Sequence, residues 1–387
     1  MAVQIGTGLS TLPDPRDAGG DAASQAVAAL DGTAPELVLA FVTGAHLAAP
    51  EATLEGVHEA SSPAVLVGGG AGGVLGERRE LESGNAVAVW AASFGAGEVT
   101  PFHLRFEPDE DPPRITGLPD IQGSRGLIMI ADPYSFPTDT LLSELALQLP
   151  GVPILGGLES ARTSDGTASL LFGDEVRPDG AVGVSLGDVE LLPCVSQGAA
   201  PVGPELTITA AEGNVIEELA GRPALETLQR VVGQLPERER GLVAGGLLIG
   251  IVVDRGKAEY QQGDFLVRGI AGADPDSGRL AVAAEVHEGQ VIRLHARDAR
   301  SAHEDLQRQL RLCMDAVADS GPAGALVFSC NGRGAGMFGP CDHDATTVAE
   351  ELGEAPAAGF FAAGEIGPVG GRSFLHGFTA TLGVFPR

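Results

Sequence analysis

A layered α/β fold with mixed α+β character is what this sequence predicts: sheets covered by helices, assembled from repeated strand–helix–strand–strand units in two domains. Three observations carry that expectation. Long apolar runs show no polar alternation, so their strands are covered on both faces. The stretches between them pair apolar residues with acids at helical spacing, as outer layers do. The same order of elements recurs three times along the chain.

In the first repeat, ELVLAFVTG (36 to 44) leads through a helical stretch to PAVLVGGGAGG (63 to 73), and NAVAVWAASFG (85 to 95) returns. In the second, GLIMIADP (126 to 133) leads through TLLSELALQL to VPILGGLES (152 to 160), followed by TASLLFG and GAVGVSLG. In the third, GALVFSCNGRG (324 to 334) leads through ATTVAEELGEA to AGFFAAGEIGPVGG (358 to 371), closed by FLHGFTATLGVF (374 to 385). Between the second and third repeats, residues 201 to 300 read as strands and turns, with DPDSGR as a hairpin turn. A helix is expected over 301 to 321, opened by Ser301 with Glu304 as a capping box, with Cys313 in its apolar face. The Pro-containing stretch 107 to 124 is the clearest loop, and the composition shift near 194 to 205 places the domain boundary, giving domains 1–200 and 201–387.

Composition sets the function classes. The 387 residues, 44% of them hydrophobic, suffice for packed cores without metal or disulfide staples. The four cysteines, Cys194, Cys313, Cys330 and Cys341, form no CxxC pair and read as reduced thiols. Acids outnumber bases 52 to 24, and the net charge of −28 repels nucleic acid and anionic membranes. The N-terminus lacks a basic leader and no apolar run reaches bilayer length, so a cytoplasmic location and no membrane partner are expected. No cofactor is expected.

The densest local chemistry is Cys330-Asn331-Gly332-Arg333-Gly334 at the end of a buried strand, where α/β sheets bind ligands. Glycines there admit a ligand to backbone N–H groups, and Arg333 offers a forked donor to a carboxylate. The match fails as a dinucleotide fingerprint, since GRGAGMFG reads G-x-G-x-G. Gly364 and Glu365 follow the next buried strand, where a charge needs a partner. With Arg333 facing Glu365 the two would hold a zwitterion; the plainer reading is an ion pair that closes the fold. His376 lies in an apolar strand, as a ligand contact or a core histidine, and Asp344 reads as the N-cap of the following helix. Two other classes stay open: a thiol enzyme with Cys330 as nucleophile and His343 or His376 as base, and a structural adaptor.

LVGGGAGGVLGE, ILGGLESA, DFLVRGIAGADPDSGRLAVAAEVHEGQVIRLHARDA, SCNGRGAGMFG and GFFAAGEIGPVGGRSFLHGFT together resemble the FIST family, with its paired FIST N and FIST C domains, over nearly the whole chain. The resemblance implies a sensory role in signal transduction, with a small ligand, amino acids being those proposed for the family. Many relatives are fused to output domains, whereas no kinase, cyclase, chemoreceptor or F-box segment is seen here, so a separate signalling protein is the expected partner. The resemblance supplies no catalytic residues, and none is assigned.

Overall fold

The computed structural model describes residues 3–254, 256–257 and 259–387. Its contacts form two compact units: residues 1–195 with 306–375 and 380–387, and residues 196–305 with 376–379. The linear division expected at 200/201 follows sequence order. The contacts gather the three repeats in the first unit, apart from residues 376–379 of the third.

Each repeat builds a sheet around a parallel pair whose crossover is a helix, as parallel strands require. The pairs are Leu37–Thr43 with Val65–Ala71, Ser124–Ala131 with Ile154–Leu158, and Pro322–Cys330 with Ala357–Ala362. Their crossover helices are Pro50–Ser61, Thr138–Gln148 and His343–Glu351. The return strands Ala86–Ser93, Ala181–Gly187 and Thr379–Pro386 lie antiparallel beside the first strand of each pair. The leading strands Gln4–Ser10, Glu98–Glu107 and Leu192–Gln197 follow on the far side.

What completes each sheet comes from a different repeat. The first repeat's hairpin, Val74–Gly76 with Arg79–Leu81, pairs with Ala357–Ala362 of the third. The third repeat's strand Glu365–Val369 pairs with Ile154–Leu158 of the second. The second repeat's strand Leu170–Phe172 pairs with Val65–Ala71 of the first. The three sheets therefore share one strand order, with their hairpins exchanged in a ring.

The unbroken apolar strands follow from this layering. Leu39 and Phe41, Ile128 and Ile130, and Leu326 and Phe328 point into one central core, where the Phe41 and Phe360 rings meet at a tilt with centroids 5.0 Å apart. The intervening Val38 and Ala40 point outward under helices Pro15–Ala28 and Pro50–Ser61. Leu127 and Met129 lie under Thr138–Gln148, and Ala325 and Val327 under Ala299–Ala316 and His343–Glu351. Both faces are dry, so no face of these strands carries polar alternation.

The second unit is an antiparallel sheet led by Ala199–Glu212, Val291–Arg297, Leu247–Val252 and Phe265–Asp274, with its own core around Ile208, Ile249 and Leu294. Its expected turn is present: Phe265–Asp274 and Arg279–Val282 pair from Asp274 to Arg279, and the Asp274 carboxylate accepts from Asp276 N and Ser277 Oγ. The helix expected over 301 to 321 runs Ala299–Ala316. Its Ser301 hydroxyl donates to Asp298 at 2.6 Å, so Ser301 lies inside the helix and does not cap it. The closing strand read as 374 to 385 is two strands, Arg372–His376 and Thr379–Pro386, broken where Phe378 takes φ 64°. Among the described residues no helix is long and apolar enough to cross a membrane.

Helices Pro15–Ala28 and Pro50–Ser61 pack through glycine. A Cβ on Gly56 would stand 2.0 Å from the Arg16 carbonyl oxygen and 2.9 Å from Gly20 N, and both are backbone atoms that cannot yield cheaply. Gly56→Ala should therefore destabilise the protein by about 1–3 kcal/mol, the range for overpacking, read as a lower urea midpoint at unchanged slope; an unchanged midpoint would refute this packing.

Candidate functional site

The strand ends of all three repeats converge on one face of the first unit. Gly72 N donates to Ser160 Oγ at 2.8 Å, and Ser160 Oγ donates to the Phe361 carbonyl, so one hydroxyl ties together the three repeats. Beside this junction lies a pocket of about 250 Å³ lined by Gly72, Gly73, Glu82, Asn331 and Phe361. Asn331 stands at the end of Pro322–Cys330, as the sequence anticipated for a ligand contact, and it is exposed. Glu82 arrives on the exchanged hairpin, and its Oε1 accepts from Ala335 N at 2.8 Å. Gly334, at φ 68°, has no room for a side chain: a Cβ would stand 2.5 Å from that carboxylate.

Behind the pocket is a buried charged cluster. Arg333 is 1% exposed and its fork closes on Asp344, Nε to Oδ2 at 2.7 Å and Nη2 to Oδ1 at 2.8 Å. Asp344 also accepts from Ser329 Oγ at 2.8 Å and contacts His343 Nδ1 at 2.9 Å. Burial opposes the charge on both partners, yet each outweighs it for the other. The guanidinium lies above its usual range, supported after Asp344 by Cys330 and Glu365, and the Asp344 carboxyl lies well below the ordinary carboxylate range. Arg333 Nη1 has no protein hydrogen-bond partner, and the guanidinium sits 5.1 Å from the Phe338 ring. His343 stacks on the same ring at 3.5 Å.

Sequence reading expected Asp344 to cap its helix, but the cap position falls to Asp342, at φ 63° with no side-chain capping bond. The pull of Arg333 explains the difference: a bidentate bond to a buried guanidinium outweighs one bond to a helix amide. Of the expected site residues, Cys330, Arg333 and Glu365 are brought together inside the protein, and Asn331 reaches the pocket. Cys330 is 8% exposed, with its Sγ accepting from Gly332 N at 3.3 Å, and Glu365 is fully buried. The Gly364 carbonyl accepts from Leu158 N, which ties it to the second repeat. His376 is buried and belongs to the second unit.

Two carboxyls that the sequence did not single out stand close by. Glu80, also on the exchanged hairpin, is 6% exposed; its Oε1 accepts from Ala345 N at 2.9 Å, and its own N–H donates to Asp342. Burial and then Asp344 push it up to about 7, against the opposing pull of the Ala345 and Asp344 amides. Glu159, in the second repeat, is 2% exposed and accepts from Gly70 N at 2.6 Å and from Ser169. Burial pushes it up to about 8, partly offset by those donors. It explains the glycine at 69, where a Cβ would meet Glu159 Oε1 at 2.9 Å, while at Gly70 a Cβ would meet Ser169 Oγ at 2.2 Å. Asp132, 1% exposed, is paired with Arg162 at 2.6 Å. A signal for Glu159 existed: Gly-Gly-Leu-Glu ends the second repeat's strand where Ala-Gly-Glu ends the third's. Glu80 and Glu82 left none, because their neighbours lie more than 250 residues away in sequence.

Known proteins share this chain's plan. A FIST N domain model matches residues 36–222 and a FIST C domain model matches residues 224–368. An uncharacterized protein of Mycobacterium tuberculosis strain H37Rv is 42% identical over 387 residues, 99% of this chain and 100% of its own. An uncharacterized protein of Mycobacterium bovis is also 42% identical over 387 residues, 99% of both chains.

Asp344→Asn leaves Arg333 charged and buried without its counter-ion, a defect of about 3–5 kcal/mol. Urea denaturation should show that loss, and Arg333→Met combined with Asp344→Leu should lose less than the two single changes summed; strict additivity would separate the two residues energetically. Glu80 and Glu159 give a pH prediction. Their native values, about 7 and about 8, lie above the ordinary 4.5, so the native state holds protons that the unfolded chain has released. Their contribution is full below pH 4.5 and is lost as pH climbs through those native values. Stability should fall between about pH 5 and 8, by at most about 1.4 kcal/mol per pH unit for each group, and Glu159→Gln should flatten that fall. A pH profile identical to wild type would refute the buried, protonated Glu159.

Proposed function

The chain belongs to the FIST family, whose domains are sensory modules of signal transduction, and from that premise we propose that it senses a small polar metabolite in the pocket beside Asn331. The observation that supports this most is the pocket's place. It lies where the strand ends of three repeats meet, with one carboxylate and one amide on its wall and a small-ligand volume of about 250 Å³. Glu82 suits a ligand ammonium group, and Asn331 offers a donor and an acceptor to a carbonyl or hydroxyl. An amino acid or a related amine-bearing metabolite fits that pair. Arg333 and Asp344 then act behind the pocket: they hold the loop that carries Asn331, at the cost of burying two charges.

The signal in this reading leaves through a separate protein. A ligand that ties Asn331 to Glu82 also bridges the third repeat to the hairpin of the first, so occupancy stabilises one arrangement of the two. That is the differential affinity a sensor needs.

Thermal-shift measurement against a panel of amino acids and related amines tests the proposal. A ligand at about a hundred times its Kd adds about 2.7 kcal/mol of stability and should raise the melting temperature visibly. Asn331→Ala and Glu82→Gln should each reduce that shift while leaving the unliganded protein folded. If no panel member shifts the wild type, or both variants keep the full shift, the pocket is not the sensory site.

A further inference from the structure

We propose a second ligand site, between the exchanged hairpin of the first repeat and the crossover helix His343–Glu351, that takes a small apolar monoamine: an alkyl- or aralkylammonium ion. A cavity of about 250 Å³ opens there. Its inner wall is apolar, with Leu75 from the hairpin, Val327 from the third repeat's first strand, Val348 and Ala349 from the helix, and Ala355 beyond it. All five are at most 8% exposed, so an apolar body entering there would leave water almost completely. The volume falls below that of drug-sized clefts, which restricts the occupant to a small body.

The mouth is charged and unbalanced. Glu77, Arg78 and Glu354 rim the cavity, two carboxylates against one guanidinium. Arg78 Nη1 reaches Glu354 Oε2 at 2.6 Å, and Glu77 Oε1 is fixed by Thr7 Oγ1 at 2.7 Å. Glu77 and Arg78 are the two central residues of the hairpin loop, with φ 49° and 61°, the tight primed turn that matches strand twist. That geometry sets both residues at the cavity rim.

The charge decides the class of ligand. Once Arg78 is spent on Glu354, the Glu77 carboxylate is left to complement a cation, and the chain's net charge of −28 concentrates cations around it. An ammonium group therefore adds to the mouth without breaking the ion pair. A carboxylate would have to displace Glu354 from Arg78 while facing Glu77. A zwitterion would have to do the same with half of its charge. The Arg78–Glu354 pair is half exposed, 53% and 59%, so swinging it aside to admit the apolar body costs little.

This site shares no lining residue with the pocket beside Asn331, so the two are tested separately. Isothermal titration of the full chain with isopentylamine and phenethylamine should show saturable binding, and in the Asn331→Ala/Glu82→Gln double variant, where the other pocket is disabled, sodium isovalerate should be silent and leucine weaker than isopentylamine. Glu77→Gln, at an exposed residue, should weaken the amines about tenfold, the loss expected from one charge-assisted hydrogen bond. Asn331→Ala and Glu82→Gln should leave amine binding unchanged, even if they abolish binding at the other pocket. The proposal is overturned if neither amine binds, if isovalerate or leucine binds the double variant at least as tightly as isopentylamine, or if Glu77→Gln binds the amines like wild type.

Discussion

The first unit depends on the exchange of hairpins between its repeats. Each parallel pair ends on a strand, Val65–Ala71, Ile154–Leu158 or Ala357–Ala362, whose outer row of N–H and C=O groups would otherwise be an open edge. Backbone groups buried without partners cost as much as lost hydrogen bonds, so that edge must be covered. Here the second repeat covers the first, the third covers the second, and the first covers the third. A solenoid repeat can be added or removed at an end, because it touches only its neighbours. In a closed ring each sheet needs a segment of another repeat, so the three repeats stand or fall together.

The same exchange makes the candidate site. It carries Glu80 and Glu82 out of the first repeat and sets them against Ala335, Asp342 and Ala345 of the third. Asp344 stands at the centre of that contact, bonded to Arg333 on one side and raising the pKa of Glu80 on the other. Its charge is stabilised by the guanidinium and its burial is enforced by the hairpin, which lies over the start of its helix. The cluster is accordingly an anchor for the loop from Cys330 to Phe338. Asn331 and Glu82 line the pocket at its edge.

The sequence told much about the elements and little about their partners. Strand and crossover positions in all three repeats were legible because Leu39, Phe41, Ile128, Ile130, Leu326 and Phe328 sit in runs that only a doubly covered strand tolerates. Asn331 was legible as a strand-end residue beside glycines. The partner of Arg333 was not, since Asp344 carries the same local signature whether it caps a helix or crosses to a guanidinium. Nor was the origin of Glu82 and Glu80: RRELESG reads as a polar turn, and no local pattern reports which sheet a hairpin joins. The buried carboxyl that crowds Gly69 and the Ser169 hydroxyl that crowds Gly70 both lie in the next repeat, out of reach of any local pattern.

One hairpin frames both cavities. Gly73 and Glu82 at its base line the pocket beside Asn331, while Leu75 to Arg78 at its tip line the other. Between them Glu80 is bonded to the start of the helix that supplies Ala345, Val348 and Ala349 to the second cavity. Glu80 adds a proton to that contact. Burial and Asp344 push its carboxyl up to about 7, because losing that proton would place a second buried anion beside Asp344. The contact that separates the two cavities therefore holds a carboxyl whose charge is opposed by its own surroundings, because the exchanged hairpin buries it there.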